Sequence, residues 1–295
     1  MPPVSGNCIA RSPVRQPRGV TGAPRRYAGA DVIDLHSHLL PGIDDGPATV
    51  GDSVEMGRAA WESGTRAMVC TPHMHPRYPT EPQTVRLGVA KLRTALADAG
   101  IPLEVHTGAE ISLDWIDRMS EADLAMATYG GGGRWLLLEM PFQGWPLQLP
   151  QLLRDLEIRG YGVILAHPER AEAVQKGPDR LRDVIGRGAL VQLTAGSFLG
   201  EHGPAAKRTA AALLGGGAAH VIASDAHSAG PWRPPDIRAG LEAAAAAIGV
   251  ETEALSWMVE EGPAAILAGE PVRPPKITSA RRPRAGGRPG PAGPR

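Results

Sequence analysis

At 295 residues, 42% apolar but only 4% aromatic, the chain is long enough for one barrel-sized domain or two modest ones, with a core built from Ala, Val, Leu and Ile. Basic and acidic side chains number 31 each, yet residues 1–30 and 271–295 carry only basic charge and residues 31–270 are acidic by twelve. An acidic body disfavours a nucleic-acid groove and suits cations. Two cysteines, Cys8 and Cys70, exclude a disulfide framework, and the lack of an apolar leader or membrane-length run predicts a cytoplasmic chain without membrane insertion.

Residues 1–30 are rich in Pro, Gly and Arg and are predicted to be a disordered basic tail, as are residues 271–295. The domain between them, 31–270, repeats one unit: an apolar run, a polar cluster, then a helical stretch. The runs are 31–36, 66–73, 103–110, 134–140, 161–169, 189–196 and 220–227. Several are continuously apolar, as parallel strands covered on both faces should be. Between them, Asp52 or Ser53 can cap a helix ending at Gly64. Val85, Val89, Leu92 and Leu96 share one face of a second helix. Seven such units in about 240 residues predict an α/β fold, a (β/α) barrel. An open doubly wound sheet would carry a Gly-rich phosphate loop after its first strand, and "HSHLLPGIDDGP" is no such loop.

The polar residues cluster where these strands end. His36 and His38 follow the first run, with Asp45 in its loop; His73 follows the second, Glu110 the third, Glu139 the fourth and His167 the fifth. Asp225 and His227 follow the last. In a barrel these ends converge on one face. Nine such groups in one pocket would repel or remain unpaired without cations, so bound metal is the expected resolution, with Gly42 and Gly46 letting the first loop fold back. Four carboxylates and five imidazoles can hold two or three divalent ions, and mixed N/O ligation favours Mn, Fe, Zn or Co over Mg or Ca. Arg170 and Arg233 follow the last ligands of their strands and are expected to grip phosphate. His75 and Arg77 are candidates for the rim. His106, His202 and His220 stand off the pattern and are read as structural, and Cys70 as a small core residue.

The motifs "DLHSHLLPGIDDGP", "TPHMHPRY", "GAEI", "AHPER", "QLTAGSFLG" and "ASDAH", in this order, resemble the polymerase-and-histidinol-phosphatase (PHP) superfamily. Within it they are most similar to the bacterial PHP-type protein-tyrosine phosphatases of capsule and exopolysaccharide synthesis. The resemblance implies a distorted seven-stranded TIM-like barrel and a site of three ions, usually manganese. It assigns His36, His38, Glu110 and Asp225 to one ion, Glu110, Glu139 and His167 to a second, and Asp45, His73 and His227 to a third. It implies hydrolysis, by a metal-bound hydroxide, of phosphotyrosine on the C-terminal tail of a membrane tyrosine autokinase. A small-molecule phosphomonoesterase such as a histidinol-phosphatase, and a non-catalytic module binding metal or the kinase tail, are the alternatives. Amidohydrolases also begin with His-x-His, but often place a bridging lysine where this chain has Glu139. Thr194, Met74 and Pro76 depart from the family's pattern and are expected to alter the substrate rim.

Overall fold

The computed structural model describes residues 31–275; residues 1–30, with Cys8, and residues 276–295 lie outside the described part. The tail readings therefore fall largely on residues that are not described. Among the described residues ten strands form: β1 (Val32–Ser37), β2 (Thr65–Cys70), β3 (His73–His75), β4 (Tyr78–Pro79), β5 (Glu104–Thr107), β6 (Glu110–Ser112), β7 (Trp135–Glu139), β8 (Gly162–Ala166), β9 (Leu190–Thr194) and β10 (Val221–Ala223). They lie in two sheets, β1-β2-β5 and β10-β9-β8-β7-β6-β3-β4. Every pairing is parallel except the β3–β4 hairpin. The ring closes just past β10, where Asp225 N–H donates to His36 O at 2.9 Å and His38 N–H to Ala226 O at 2.8 Å.

Two of the seven apolar runs are each split between the sheets. The second leaves β2 at Cys70 and resumes as β3; the third leaves β5 at Thr107 and resumes as β6. Packing forces the break. A Cβ on Gly108 would lie 2.8 Å from Val69 Cγ1, so the two chains cross too closely for a side chain there. Pro72 interrupts donation but its carbonyl still accepts Glu110 N–H at 3.1 Å. His73 and Glu110 therefore begin strands rather than follow them, and the register pairs them directly.

Along β7, β9 and β10 a period of two carries one face from core to site: Trp135 and Leu137 lead to Glu139, Leu190 to Gln192, and Val221 and Ala223 to Asp225. The opposite faces, such as Leu136, Leu138, Val191, Leu193 and Ile222, join the larger cluster under the helices. The helix Val50–Glu62 is capped by Thr49, with Asp52 closing a capping box from its third position, instead of by Asp52 or Ser53. Helix Pro82–Asp98 buries Val85, Val89, Leu92 and Leu96 as its periodicity predicts. Ordered packing runs past residue 270: Glu270 O accepts Trp135 Nε1–H at 3.0 Å, and Val272 packs on the inner cluster. No described helix is long and apolar enough to cross a membrane.

Candidate metal centre

The barrel's C-terminal rim brings the nine candidate ligands together. Four overlapping groups have donor atoms within 4.8 Å of one another: His38, Asp45, His73 and His227; His36, His38 and Glu110; His36, His167 and Asp225; and His73, Glu110 and Glu139. These groupings share residues with the three sets implied by resemblance without reproducing them. His167 Nε2 lies 2.7 Å from Glu110 Oε1, whereas Glu139 Oε2 lies 3.9 Å from His73 Nδ1 and groups with His73 and Glu110, not with His167.

His36 Nε2, His38 Nε2, Glu110 Oε2 and Asp225 Oδ1 are all buried without a hydrogen-bond partner. Each imidazole nitrogen lies 3.3 Å from Glu110 Oε2, and 3.4 or 3.5 Å from Asp225 Oδ1. Unpaired buried polar atoms are costly, about 1–3 kcal/mol each, and imidazole nitrogens and carboxylate oxygens gathered this way, in overlapping groups with Glu110 and Asp225 in different ones, are the donor set that cations take.

The other ring nitrogens fix the tautomers. His36 Nδ1–H donates to Gln192 Oε1 at 2.9 Å, His38 Nδ1–H to Asp44 Oδ2 at 2.7 Å, and His227 Nδ1–H to the Asp225 carbonyl at 2.9 Å. Each bond leaves Nε2 as an acceptor; on His36 and His38 it faces the centre unpartnered, and on His227 it takes the Arg233 Nη1–H. Asp44 also accepts the N–H groups of His73 and Gly46, at 3.1 and 3.0 Å. A Cβ on Gly46 would fall 2.2 Å from His38 O, which is why glycine closes this loop. Sequence reasoning missed Asp44 and Gln192 as positioning residues; their signal was a second aspartate in the opening motif and a glutamine in an apolar strand.

Electrostatics follow from this packing. Burial works to raise the Glu110 pKa, but His36, His73 and His167 outweigh it and hold the carboxylate well below its usual range. Burial also opposes the charge on Asp225, which His36 and Arg233 nonetheless keep far below normal. Burial and the Glu110 charge push Glu139 up to about 8. The backbone is strained at the same place. The three non-glycine residues with positive φ among the described residues are His167 (31°), Asp225 (56°) and Arg233 (50°), all at this centre.

Both arginines reach the centre. Arg170 Nη1 lies 2.8 Å from Asp225 Oδ2, Arg233 Nη2 pairs with the same oxygen, and Arg233 Nη1 lies 2.8 Å from His227 Nε2. His75 and Arg77 lie farther out, joined to each other by the Arg77 N–H to His75 Nδ1 bond of 3.0 Å; neither belongs to a ligand group. His202, read from sequence as structural, caps the helix Gly203–Gly215, which packs on the turn bearing Arg170. Its Nε2 is buried and unpartnered, and burial followed by Arg170 lowers its pKa to about 4. His220 accepts the Val191 N–H at 3.0 Å, far from these groups. His106 pairs with Glu104 at 3.2 Å.

Two of the three departures from the family's pattern sit away from any rim. Met74 is in the core, and buried Thr194 accepts Gln192 Nε2–H at 3.4 Å, turning Gln192 Oε1 toward His36; Pro76 alone is exposed. Cys70 is fully buried, and burial pushes its thiol pKa far up, so no thiolate nucleophile forms there.

A profile of capsular polysaccharide synthesis proteins of the CpsB/CapC type matches residues 32–267. The tyrosine-protein phosphatase YwqE of Bacillus subtilis is 37% identical over 200 residues, covering 67% of this chain and 78% of that protein. The tyrosine-protein phosphatase CpsB of Streptococcus pneumoniae is 26% identical over 212 residues, covering 69% and 86%. Among solved structures, a chain from the work on YwqE and CpsB, described as unique metal-dependent tyrosine phosphatases, superposes with a TM-score of 0.73 at 31% identity, covering 85% of this chain and all of that one. A β-aspartyl dipeptidase from Fervidobacterium islandicum, at 14% identity and a TM-score of 0.50 over 82% of this chain and 76% of its own, shares the fold alone.

Proposed function

The chain belongs to the CpsB/CapC family of capsular polysaccharide synthesis proteins, and from that premise we propose that it is a metal-dependent protein-tyrosine phosphatase. The observation that carries this reading is the set of four buried, unpartnered donor atoms on His36, His38, Glu110 and Asp225. A module that binds metal without catalysis would keep the same donors but has no need of two arginines, Arg170 and Arg233, at the Asp225 carboxylate.

Divalent ions held by His36, His38, Asp45, His73, Glu110, Glu139, His167, Asp225 and His227 would supply a nucleophilic water at neutral pH and positive charge against phosphate. Three ions, with manganese first among candidates, match the nine ligands. The protein's own residues do the positioning. Gln192, Asp44 and the Asp225 carbonyl hold three imidazoles in the tautomer that turns Nε2 inward. Arg170 and Arg233 cover buried Asp225 and are themselves partly exposed, so their guanidinium forks can turn to phosphoryl oxygens and neutralise charge developing on them. The proposed substrate is phosphotyrosine on the C-terminal tail of a membrane tyrosine autokinase that governs polysaccharide export, met in the cytoplasm.

The test is hydrolysis of a phosphotyrosine peptide and of histidinol phosphate by purified protein, with elemental analysis of its metal. Turnover of the peptide that disappears with chelator and returns with Mn²⁺ is expected. Undiminished turnover in metal-free protein would refute the mechanism, and preference for histidinol phosphate would refute the substrate.

A further inference from the structure

Exposed aromatic rings stand over the metal-ligand histidines, and the mechanism above does not use them. Seven large apolar side chains are prominently exposed among the described residues; only two of these are aromatic, Phe142 (44% exposed) and Trp232 (57%), and both abut a ligand. The Phe142 ring stacks on His167 at 6.0 Å with 15° between planes. Trp232 meets His227 edge-on at 5.5 Å. On a third side, half-buried Tyr78 stacks on His73 at 5.6 Å and 11°. Each ring also has an arginine over it: Arg170 lies 4.9 Å from Phe142, Arg233 5.6 Å from Trp232, and Arg77 5.3 Å from Tyr78.

The rings are held in place by backbone. Phe142 O accepts Glu172 N–H at 2.9 Å. Around Trp232 the loop is pinched shut: Ser228 Oγ–H donates to Trp232 O at 2.6 Å, and His227 N–H to Arg233 O at 3.0 Å. Trp232 walls a cleft that Asp45 and His227 also line, so its ring borders solvent next to two of the candidate ligands. Anchored, solvent-facing rings are the form that low-entropy aromatic recognition takes.

We propose that Phe142 and Trp232, with Tyr78, form an aromatic collar that binds the aryl group of the substrate and selects aryl over alkyl phosphates. The proposal rests on the phosphatase reading and adds the determinant of its specificity. A phosphoryl group gripped by Arg170 and Arg233 lies beside the two guanidinium groups that already face Phe142 and Trp232. The ring ester-linked to that phosphoryl group then has an aromatic side chain within reach beside either guanidinium. A serine or threonine ester offers no π-face to either.

The competing role for the rings is to shield the ligand histidines from water. It predicts loss of metal or of all activity alike, whatever the substrate. The experiment uses full-length, Mn²⁺-loaded protein and the variants Phe142→Ala, Trp232→Ala and the double variant. Calorimetry compares binding of phenylphosphonate with methylphosphonate, which needs no turnover, and kinetics compare phosphotyrosine and phosphoserine peptides of one sequence. The collar predicts that each single variant lowers the aryl-to-alkyl ratio threefold to about tenfold in both measurements, the range an aromatic pair contributes. The kinetic loss should fall mainly on KM. Metal content should match wild type, and Phe142→Tyr and Trp232→Phe should restore the ratio. Equal aryl and alkyl losses, or an unchanged ratio, would overturn the collar while leaving the phosphatase reading intact. Wild-type protein that hydrolyses neither peptide would overturn that reading, with phosphonate binding still deciding the collar.

Discussion

Arg170 and Arg233 both place a guanidinium N–H on Asp225 Oδ2, so a carboxylate facing the ligand cluster with one oxygen faces two cations with the other. That arrangement separates two roles a mutation can distinguish. If the arginines serve phosphate, Arg170→Ala and Arg233→Ala lower kcat/KM for an aryl phosphate about 10²-fold each while elemental analysis finds metal content near wild type. A variant that instead loses its metal would show that its arginine acts by holding Asp225 in its strained, positive-φ conformation. At this scale the sequence was legible wherever a residue's chemistry is its own. The nine candidate ligands and the two arginines are recognisable by residue type beside apolar runs, although His73 and Glu110 open short strands instead of closing long ones. Gln192 was not legible, because its role is decided by a neighbour remote in the chain: it meets His36 across 156 residues; Asp44, only six residues from His38, was missed because Asp45 beside it is the same residue type.

Elements show the same division between local and non-local information. Helix faces such as Val85, Val89, Leu92 and Leu96 follow from period alone, and they fold as read. The exchange of strands between the two sheets at Pro72 and Gly108 does not, since a continuous apolar run gives no sign that its second half will pair elsewhere. Capping erred by a few residues because Thr49, Asp52 and Ser53 all have capping side chains and only geometry selects Thr49. His220 illustrates what an element junction can hide. It lies just before β10, 6% exposed, and its Nδ1 accepts the Val191 N–H, tying β10 to β9. Burial lowers its pKa from 6.5 to about 4. The unfolded chain therefore takes up this proton first as pH falls. The neutral side chain's contribution to stability is full above pH 6.5 and is lost as pH drops through 4. Between pH 7 and 5 the loss amounts to about 2 kcal/mol. His220→Asn keeps an acceptor for Val191 without a titrating group. Urea unfolding of chelated protein at both pH values is expected to show the wild type losing that much more stability than the variant; parallel losses would assign the acid sensitivity elsewhere.

Across the described residues, the acidic body and the cluster of candidate ligands both suit a barrel that binds cations. The cluster is assembled from β1, β3, β6, β7 and the loops after β1, β8 and β10, so an ion bound there joins both sheets and both sides of the seam between β1 and β10. In the unfolded chain these ligands are scattered from residue 36 to residue 227 and hold metal far more weakly. Binding energy is then folding energy, about 1.4 kcal/mol per tenfold rise in free metal for each ion taken up by the folded state alone. The slope of unfolding free energy against the logarithm of free Mn²⁺ therefore counts ions: about 1.4 kcal/mol per decade for one and about 4 for three. At a thousandfold excess over Kd, one ion contributes about 4 kcal/mol. For a domain of this size that raises Tm by about 8–16 °C over chelated protein. Urea titrations in metal buffers, read beside calorimetric Tm values, measure both quantities. A slope near that of three ions is expected, because the nine ligands fall into overlapping groups too far apart for one ion to satisfy. A slope of one would reduce the centre to the His36, His38, Glu110 and Asp225 set, whose four unpartnered atoms demand an occupant most directly. A flat line would mean that the fold closes this cluster without any cation.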